Sequence, residues 1–190
     1  MMRQTLPKLL PFLLLLLSAA AAPAQERMSP WIKVDMAMRA KKWENASRAL
    51  AEVEKAGACK GTACIAAHAL IADGTGDSEQ AVTYARQALA PQDTGLDAKQ
   101  YNDLGALLVR RAEGKRELLQ LAETALRHAD STYKGEASNI RFNLAKVLEK
   151  LGRKAEAQAI VKKLDADGIL IDPGMAVLGD FERAVVTSHP

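Results

Sequence analysis

The feature that most constrains the fold is a short junction at which two helical patterns meet. At residues 152–157 the sequence GRKAEA stands between NLAKVLEKL and QAIVKKL, two runs whose apolar residues recur every three or four positions. Similar junctions are GDSEQA at 76–81 and KKWENA at 41–46. Because glycine takes positive φ readily, it can end one helix where the next begins. The chain is therefore expected to fold as antiparallel helix pairs.

Helical periodicity continues over almost the whole chain after Ser29, with many alanines and few runs of β-branched residues, which predicts an all-α fold. Asp77 with Gln80, and Asp97 with Gln100, have the spacing of N-terminal caps, in which a side-chain oxygen accepts hydrogen bonds from first-turn amides. The predicted helices cover residues 30–41, 44–56, 63–74, 78–90, 98–112, 115–129, 137–151, 154–165 and 174–187.

The second helix of a pair carries small or apolar residues at the fourth and seventh positions after its junction alanine, such as Val161 and Leu164 after Ala157. These offsets lie on one helical face. The pattern resembles the tetratricopeptide repeat (TPR) family, whose helix pairs recur at about 34 residues. The best match is residues 143–164, and the junction positions 46, 81, 118 and 157 are 35, 37 and 39 residues apart. The first pair departs from the pattern because Lys41 stands in place of glycine, and the third turn carries one extra residue.

The resemblance implies a right-handed superhelix of about four antiparallel helix pairs over residues 25–172, closed by a C-terminal capping helix and tail at 173–190. An alternative for the last helix is the start of a fifth pair that packs on another subunit. The resemblance further implies that the first helices line a groove that binds a peptide or protein segment. By that mapping, the groove residues are Trp31, Asp35, Met38, Lys99, Asn102, Arg110, Asn139, Phe142, Asn143 and Lys146. Asparagine side chains can bond a peptide backbone, and an exposed tryptophan or phenylalanine is expected to be a rigid apolar anchor.

The first 24 residues have the composition of a cleaved secretory signal. Arg3 and Lys8 precede an apolar stretch of 14 residues from Leu9 to Ala22, and Ala22-Pro23-Ala24 follows. Because a membrane span needs roughly 20 apolar residues, we expect this segment to be removed and the mature chain to be periplasmic or secreted, without an integral span. Loss of residues 1–24 lowers the net charge from +3 to +1. A nearly neutral chain with intermixed lysine and glutamate argues against a nucleic-acid partner.

The two cysteines stand in GACKGTAC, across the turn between the first and second pairs. In an exported protein, a disulfide between Cys59 and Cys64 is the favoured interpretation. The chain-entropy relation assigns such a short loop roughly 2 kcal/mol of stabilisation. The alternatives are free thiols and a metal site, for which Cys59, Cys64 and His68 could supply three zinc ligands. No fourth ligand is near in sequence, so no metal is expected.

Motifs for catalysis or phosphate binding are missing from the sequence. GTGDSE at 74–79 lacks the Walker lysine, and DADG at 165–168 lacks the flanking acids of a calcium loop. We therefore expect a non-enzymatic scaffold that binds a protein or peptide and needs no cofactor. The alternative is a small-molecule or redox accessory protein, or an enzyme, with chemistry at Cys59, Cys64 and His68. A third hypothesis is self-association, with the groove or the last helix filled by another copy.

Overall fold

The computed structural model describes residues 29–91, 94–135 and 137–168, and two short strands beyond them. Its helices are α1 (Pro30–Arg39), α2 (Trp43–Lys55), α3 (Gly61–Thr75), α4 (Ser78–Leu89), α5 (Ala98–Arg111), α6 (Arg116–Thr132), α7 (Ser138–Lys150) and α8 (Lys154–Ala166). Strands β1 (Leu170–Ile171) and β2 (Val185–Val186) pair antiparallel, with Leu170 opposite Val186. Apart from this two-residue pairing, the all-α prediction is confirmed for the described residues.

The first eight predicted helices correspond to α1–α8. The largest difference is at the end of α6, which is predicted at residue 129 and observed at Thr132. The predicted signal at 1–24 lies outside the described residues. The helix predicted over 174–187 also lies outside them, apart from Val185 and Val186, which are in β2. None of the described helices combines the length and the apolar character that a membrane span requires.

All four within-pair junctions contain residues in the left-handed region of the backbone. Gly76 and Gly152 have φ of 91° and 82°, and Lys41, which replaces glycine in the first junction, has φ of 54°. In the third junction, Glu113 and Gly114 are both left-handed, with φ of 45° and 82°, which accommodates the extra residue there. The first junction thus reaches the required geometry without glycine, at the steric cost that a Cβ atom brings in this region.

Side-chain caps begin two of the helices as predicted. Asp77 accepts a hydrogen bond from the backbone N–H of Gln80 at 3.1 Å. Asp97 accepts from the backbone N–H of Gln100 at 2.8 Å, and the Gln100 side chain accepts from the Asp97 backbone N–H at 2.9 Å. Each bond satisfies an amide that the helix itself leaves without a partner, so these residues place the starts of α4 and α5.

Packing follows the order of the chain. Each helix contacts the next, most extensively within the pairs α1–α2, α3–α4, α5–α6 and α7–α8. In addition, α3 contacts α5, and α5 contacts α7. Because α5 has neighbours on several sides, every residue from Leu104 to Val109 is buried.

The core consists of two clusters that share α3. Ala66, Ala69 and Ala72 belong to the larger cluster, which extends over α4–α8. Cys64, Ala67 and Ile71 belong to the smaller cluster, together with apolar residues of α1 and α2. Because α3 lies between the two clusters, it is apolar almost all round. Its small residues let the helices on either side approach it closely.

Arg153 connects α6 to the start of α8. Its Nη1 lies 2.6 Å from Glu123 Oε1, and its Nε and Nη2 lie 2.5 and 2.6 Å from the two carboxylate oxygens of Glu156. The hydrogen bonds to Glu156 and Glu123 raise the pKa of Arg153, which keeps the guanidinium charged. In turn, the hydrogen bond from Arg153 holds the pKa of Glu156 below its ordinary value.

We expect the Arg153→Gln substitution to move the titration midpoint of Glu156 upward. A carboxylate with a lower pKa in the folded chain stabilises the fold above its unfolded pKa, and this contribution is lost as pH falls through the folded pKa. Carboxyl carbon NMR titrations of the wild type and the variant measure the midpoint. Lys55→Gln on α2 is the control and should leave it unchanged. An unmoved Glu156 midpoint in Arg153→Gln would contradict the assignment.

Candidate functional site

The predicted groove residues of α1 lie beside the smaller core cluster. Trp31 and Met38 are partly buried and pack against that cluster. The Trp31 indole N–H points at the carbonyl oxygen of Ala58, 3.4 Å away, in the turn before Cys59. Asp35 accepts a hydrogen bond from Arg39 at 2.7 Å within α1. Trp31 is therefore a packing residue of the α1–α2–α3 region, with only part of its ring available to a partner.

Three predicted contact residues of α5 and α7 are buried. Phe142 is 1% exposed, Asn143 2% and Asn102 6%. Phe142 is therefore not the exposed anchor that the sequence indicated. The physical reason is that α5 and α7 contact each other and further helices, so residues on several faces of each are enclosed. Periodicity alone identified only one apolar face of each helix.

The buried asparagines bond to each other across the α5–α7 contact. Asn143 Nδ2 donates to Asn102 Oδ1 at 2.9 Å. Asn143 Oδ1 is also buried, and within the described part of the chain it accepts no hydrogen bond. Leaving a buried acceptor unpaired costs about 1–3 kcal/mol, so this oxygen would be stabilised by an additional hydrogen-bond donor.

Three further predicted residues have local partners: Lys99 and Asn139, which are exposed, and Lys146, which is half-buried. Lys99 Nζ lies 2.8 Å from Asp103 within α5, and Lys146 Nζ lies 3.4 Å from Glu149 within α7. The Lys146 ammonium is also 6.0 Å from the centre of the Phe142 ring. Asn139 is exposed, and its side-chain oxygen accepts from the backbone N–H of Ile140 at 2.9 Å. Ion pairs at the surface, such as that of Lys99 with Asp103, are worth little and can be exchanged for contacts with a ligand.

Arg110, the remaining predicted groove residue, takes part in an ion-pair network that the sequence did not show. Its Nη2 lies 2.6 Å from one oxygen of Asp73, and Arg111 Nε lies 2.6 Å from the other. Only 11% of the Asp73 side chain is exposed. This network ties the end of α3 to the end of α5, so Arg110 has a structural role in addition to any contact with a partner.

The structure places the cysteines together at the α2–α3 turn. Cys59 and Cys64 form a disulfide with their Cα atoms 5.3 Å apart, as the favoured interpretation predicted. Cys64 lies in the first turn of α3 and is 8% exposed, whereas Cys59 lies in the preceding turn and is half-buried. The bond thus joins the connecting turn to the buried side of α3.

His68 and Glu54 complete a compact group around the disulfide. One ligand atom from each of Glu54, Cys59, Cys64 and His68 lies within 4.8 Å of the others. His68 Nε2 is 2.9 Å from Glu54 Oε1, and the His68 ring lies 5.3 Å, centre to centre, from the ring of Tyr84 on α4. The sequence pointed to three of these residues and missed Glu54, because a turn separates the last turn of α2 from α3 and no linear spacing connects them.

A comparison of the chain with protein-family models, curated proteins and solved structures finds no match.

Proposed function

We propose that this protein is a non-enzymatic scaffold of TPR-like helix pairs that binds a peptide or protein segment along its first helices, α1, α3, α5 and α7. The contacts of α5 with both α3 and α7 support the proposal, because first helices that lie side by side form a continuous surface. Small residues on these helices, Ala69 and Ala145, are buried at 0% and 3% exposure, as close helix packing requires. On this proposal the pairs stack as a right-handed superhelix.

The observation that carries the proposal is the amide pair between α5 and α7. Asn143 is oriented by its bond to Asn102 and retains a buried oxygen without a donor among the described residues. A backbone N–H of an extended peptide is a suitable donor for this oxygen. Because Asn143 is 2% exposed, binding requires a local rearrangement around it. Lys99 and Lys146 on the same two helices offer positive charge to a carboxylate of the ligand.

The proposed compartment is the periplasm or the space outside the cell. The support comes from the Cys59–Cys64 disulfide, since such bonds persist in oxidising compartments, and from the signal predicted at residues 1–24. The scaffold is expected to act there without a cofactor.

A paired substitution separates a binding role of the asparagines from a structural one. In Asn102→Leu/Asn143→Leu both hydrogen-bonding groups are replaced by apolar groups of similar size, so we expect the free energy of unfolding to be unchanged or higher. If the amides serve recognition, the same variant should lose its partner. Denaturant unfolding measures the stability, and crosslinking in cells measures the loss of the partner.

The partner is sought by crosslinking in cells with a photoreactive residue at Asn139, which is exposed at the start of α7, in place of the buried Phe142. Gln120, exposed on the second helix α6, is the matched control position. We expect a protein adduct from position 139 that is weak or missing from position 120 and is lost in the Asn102→Leu/Asn143→Leu background. Equal adducts from both positions, or an adduct from 139 that survives the double substitution, would contradict the proposal.

A further inference from the structure

We propose that Glu54, Cys59, Cys64 and His68 form a binding site for a zinc ion when the Cys59–Cys64 disulfide is reduced. The four side chains come from the end of α2, the connecting turn and the first two turns of α3. One ligand atom of each lies within 4.8 Å of the other three, so the four side chains are grouped around one position. This inference is independent of partner binding at α5 and α7.

The donor set suits zinc. Two thiolates, one imidazole nitrogen and one carboxylate oxygen are ligands that Zn²⁺ takes in tetrahedral sites, at about 2.3 Å for sulfur and about 2.0–2.2 Å for nitrogen and oxygen. Such bond lengths put neighbouring ligand atoms roughly 3.3–3.8 Å apart. The 2.9 Å separation of His68 Nε2 and Glu54 Oε1 is close to that requirement, so these two atoms need only a small movement. Soft thiolate ligands also favour zinc over calcium or magnesium.

The ligands differ in their exposure to solvent, which gives the ion a route into the site. Cys64 is buried, whereas the side chains of His68 and Glu54 are 31% and 46% exposed. An ion can therefore meet the imidazole and the carboxylate first and the sulfur atoms afterwards. Tyr84 packs its ring on His68 and restricts the orientation of the imidazole, which is the role of a positioning residue.

Loading the site is a reduction followed by an exchange of protons for metal. A dithiol attacks the disulfide, its two sulfur atoms form their own disulfide, and Cys59 and Cys64 leave as two thiols. Zn²⁺ then replaces both thiol protons, which are released to solvent, and binds neutral His68 and ionised Glu54. The resulting group has two thiolates, one carboxylate and one divalent cation, for a net charge of −1. The disulfide and the zinc complex are thus alternative ways to join the α2–α3 turn.

The test compares metal binding by the oxidised and the reduced chain. The chain is reduced with a dithiol, freed of it by gel filtration without oxygen, and titrated with Zn²⁺ in competition with a chelator. We expect one ion per reduced chain and at least 100-fold weaker binding by the oxidised chain. Titration with Co²⁺ should give sulfur-to-cobalt charge-transfer absorption in the reduced chain only. If the reduced chain loses helicity, zinc should restore the helicity. The proposal is overturned if zinc does not bind to the reduced chain, or if it does not restore helicity that reduction has removed.

Substitutions of the two ligands other than cysteine test the ligand assignment, and both cysteines are kept in these variants. His68→Gln and Glu54→Gln should each weaken zinc binding at least tenfold. His128→Gln on α6 and Glu52→Gln on α2 are matched controls, because both residues are exposed and lie outside the cluster, and they should bind as the wild type does. Unchanged affinity in both His68→Gln and Glu54→Gln would overturn the four-ligand site.

Discussion

We expect Leu108→Ala to lower the free energy of unfolding by about 2–5 kcal/mol. Leu108 is 0% exposed in α5, in the larger core cluster that extends from α3 to α8. Truncation removes buried apolar surface and leaves a cavity that the surrounding helices can fill only in part. Chemical denaturation followed by far-ultraviolet circular dichroism measures the loss.

Val161→Ala is the control for this prediction. The sequence pattern assigns Val161 to the packing stripe of the last pair, but in α8 it is 39% exposed. Its truncation should therefore change the free energy of unfolding by less than about 0.5 kcal/mol. Similar losses at Leu108 and Val161 would contradict the burial of Leu108 in the core and the exposure of Val161.

The second large effect is expected at Gly105, where α5 approaches α6. A Cβ atom added at this position would lie 2.7 Å from Leu126 Cγ and 3.3 Å from the carbonyl oxygen of Ala122. Gly→Ala in an unhindered helix stabilises it by up to about 1 kcal/mol. Here we expect Gly105→Ala to lower the free energy of unfolding by about 1–3 kcal/mol, because the core is overpacked. Denaturant midpoints and slopes measure the change.

A double-mutant cycle with Leu126→Ala identifies the cause. The Leu126 side chain provides the closest contacts, so in the Leu126→Ala background the added methyl group meets mainly the Ala122 carbonyl oxygen. Gly105→Ala should then be neutral, or stabilising by up to about 1 kcal/mol. An equal loss in both backgrounds would show that Leu126 is not the obstacle.

The helices were predictable because their signals are local. Asp77 and Asp97 cap the amides of residues three positions later in the chain, and the apolar period shows within two turns of any helix. The disulfide was predictable for a similar reason, since Cys59 and Cys64 are five residues apart and a turn brings them together. At Lys41 the pattern lacked glycine, yet the backbone takes the same left-handed conformation, because adjoining helices constrain the junction more than its residue type does.

The candidate site was less predictable, because it depends on helices that are distant in the chain. Asn102 and Asn143 are 41 residues apart, and only the packing of α5 on α7 joins and buries them. Phe142 and Val161 show the same limit in opposite directions, since one was expected to be exposed and is buried, and the other was expected to pack and is exposed. A helical period identifies an apolar face but not how many neighbours the helix has.

The sequence by itself therefore determined the approximate positions of α1–α8, the caps of α4 and α5 and the pairing of the cysteines, because short-range hydrogen bonds and backbone sterics decide them. Tertiary structure alone decided which polar groups are buried and that Glu54 meets His68 beside the disulfide. Those outcomes follow from the distances between helix surfaces, which are set by side-chain packing across the whole core. Such distances do not produce a regular spacing of residues in the sequence, so they cannot be read from it.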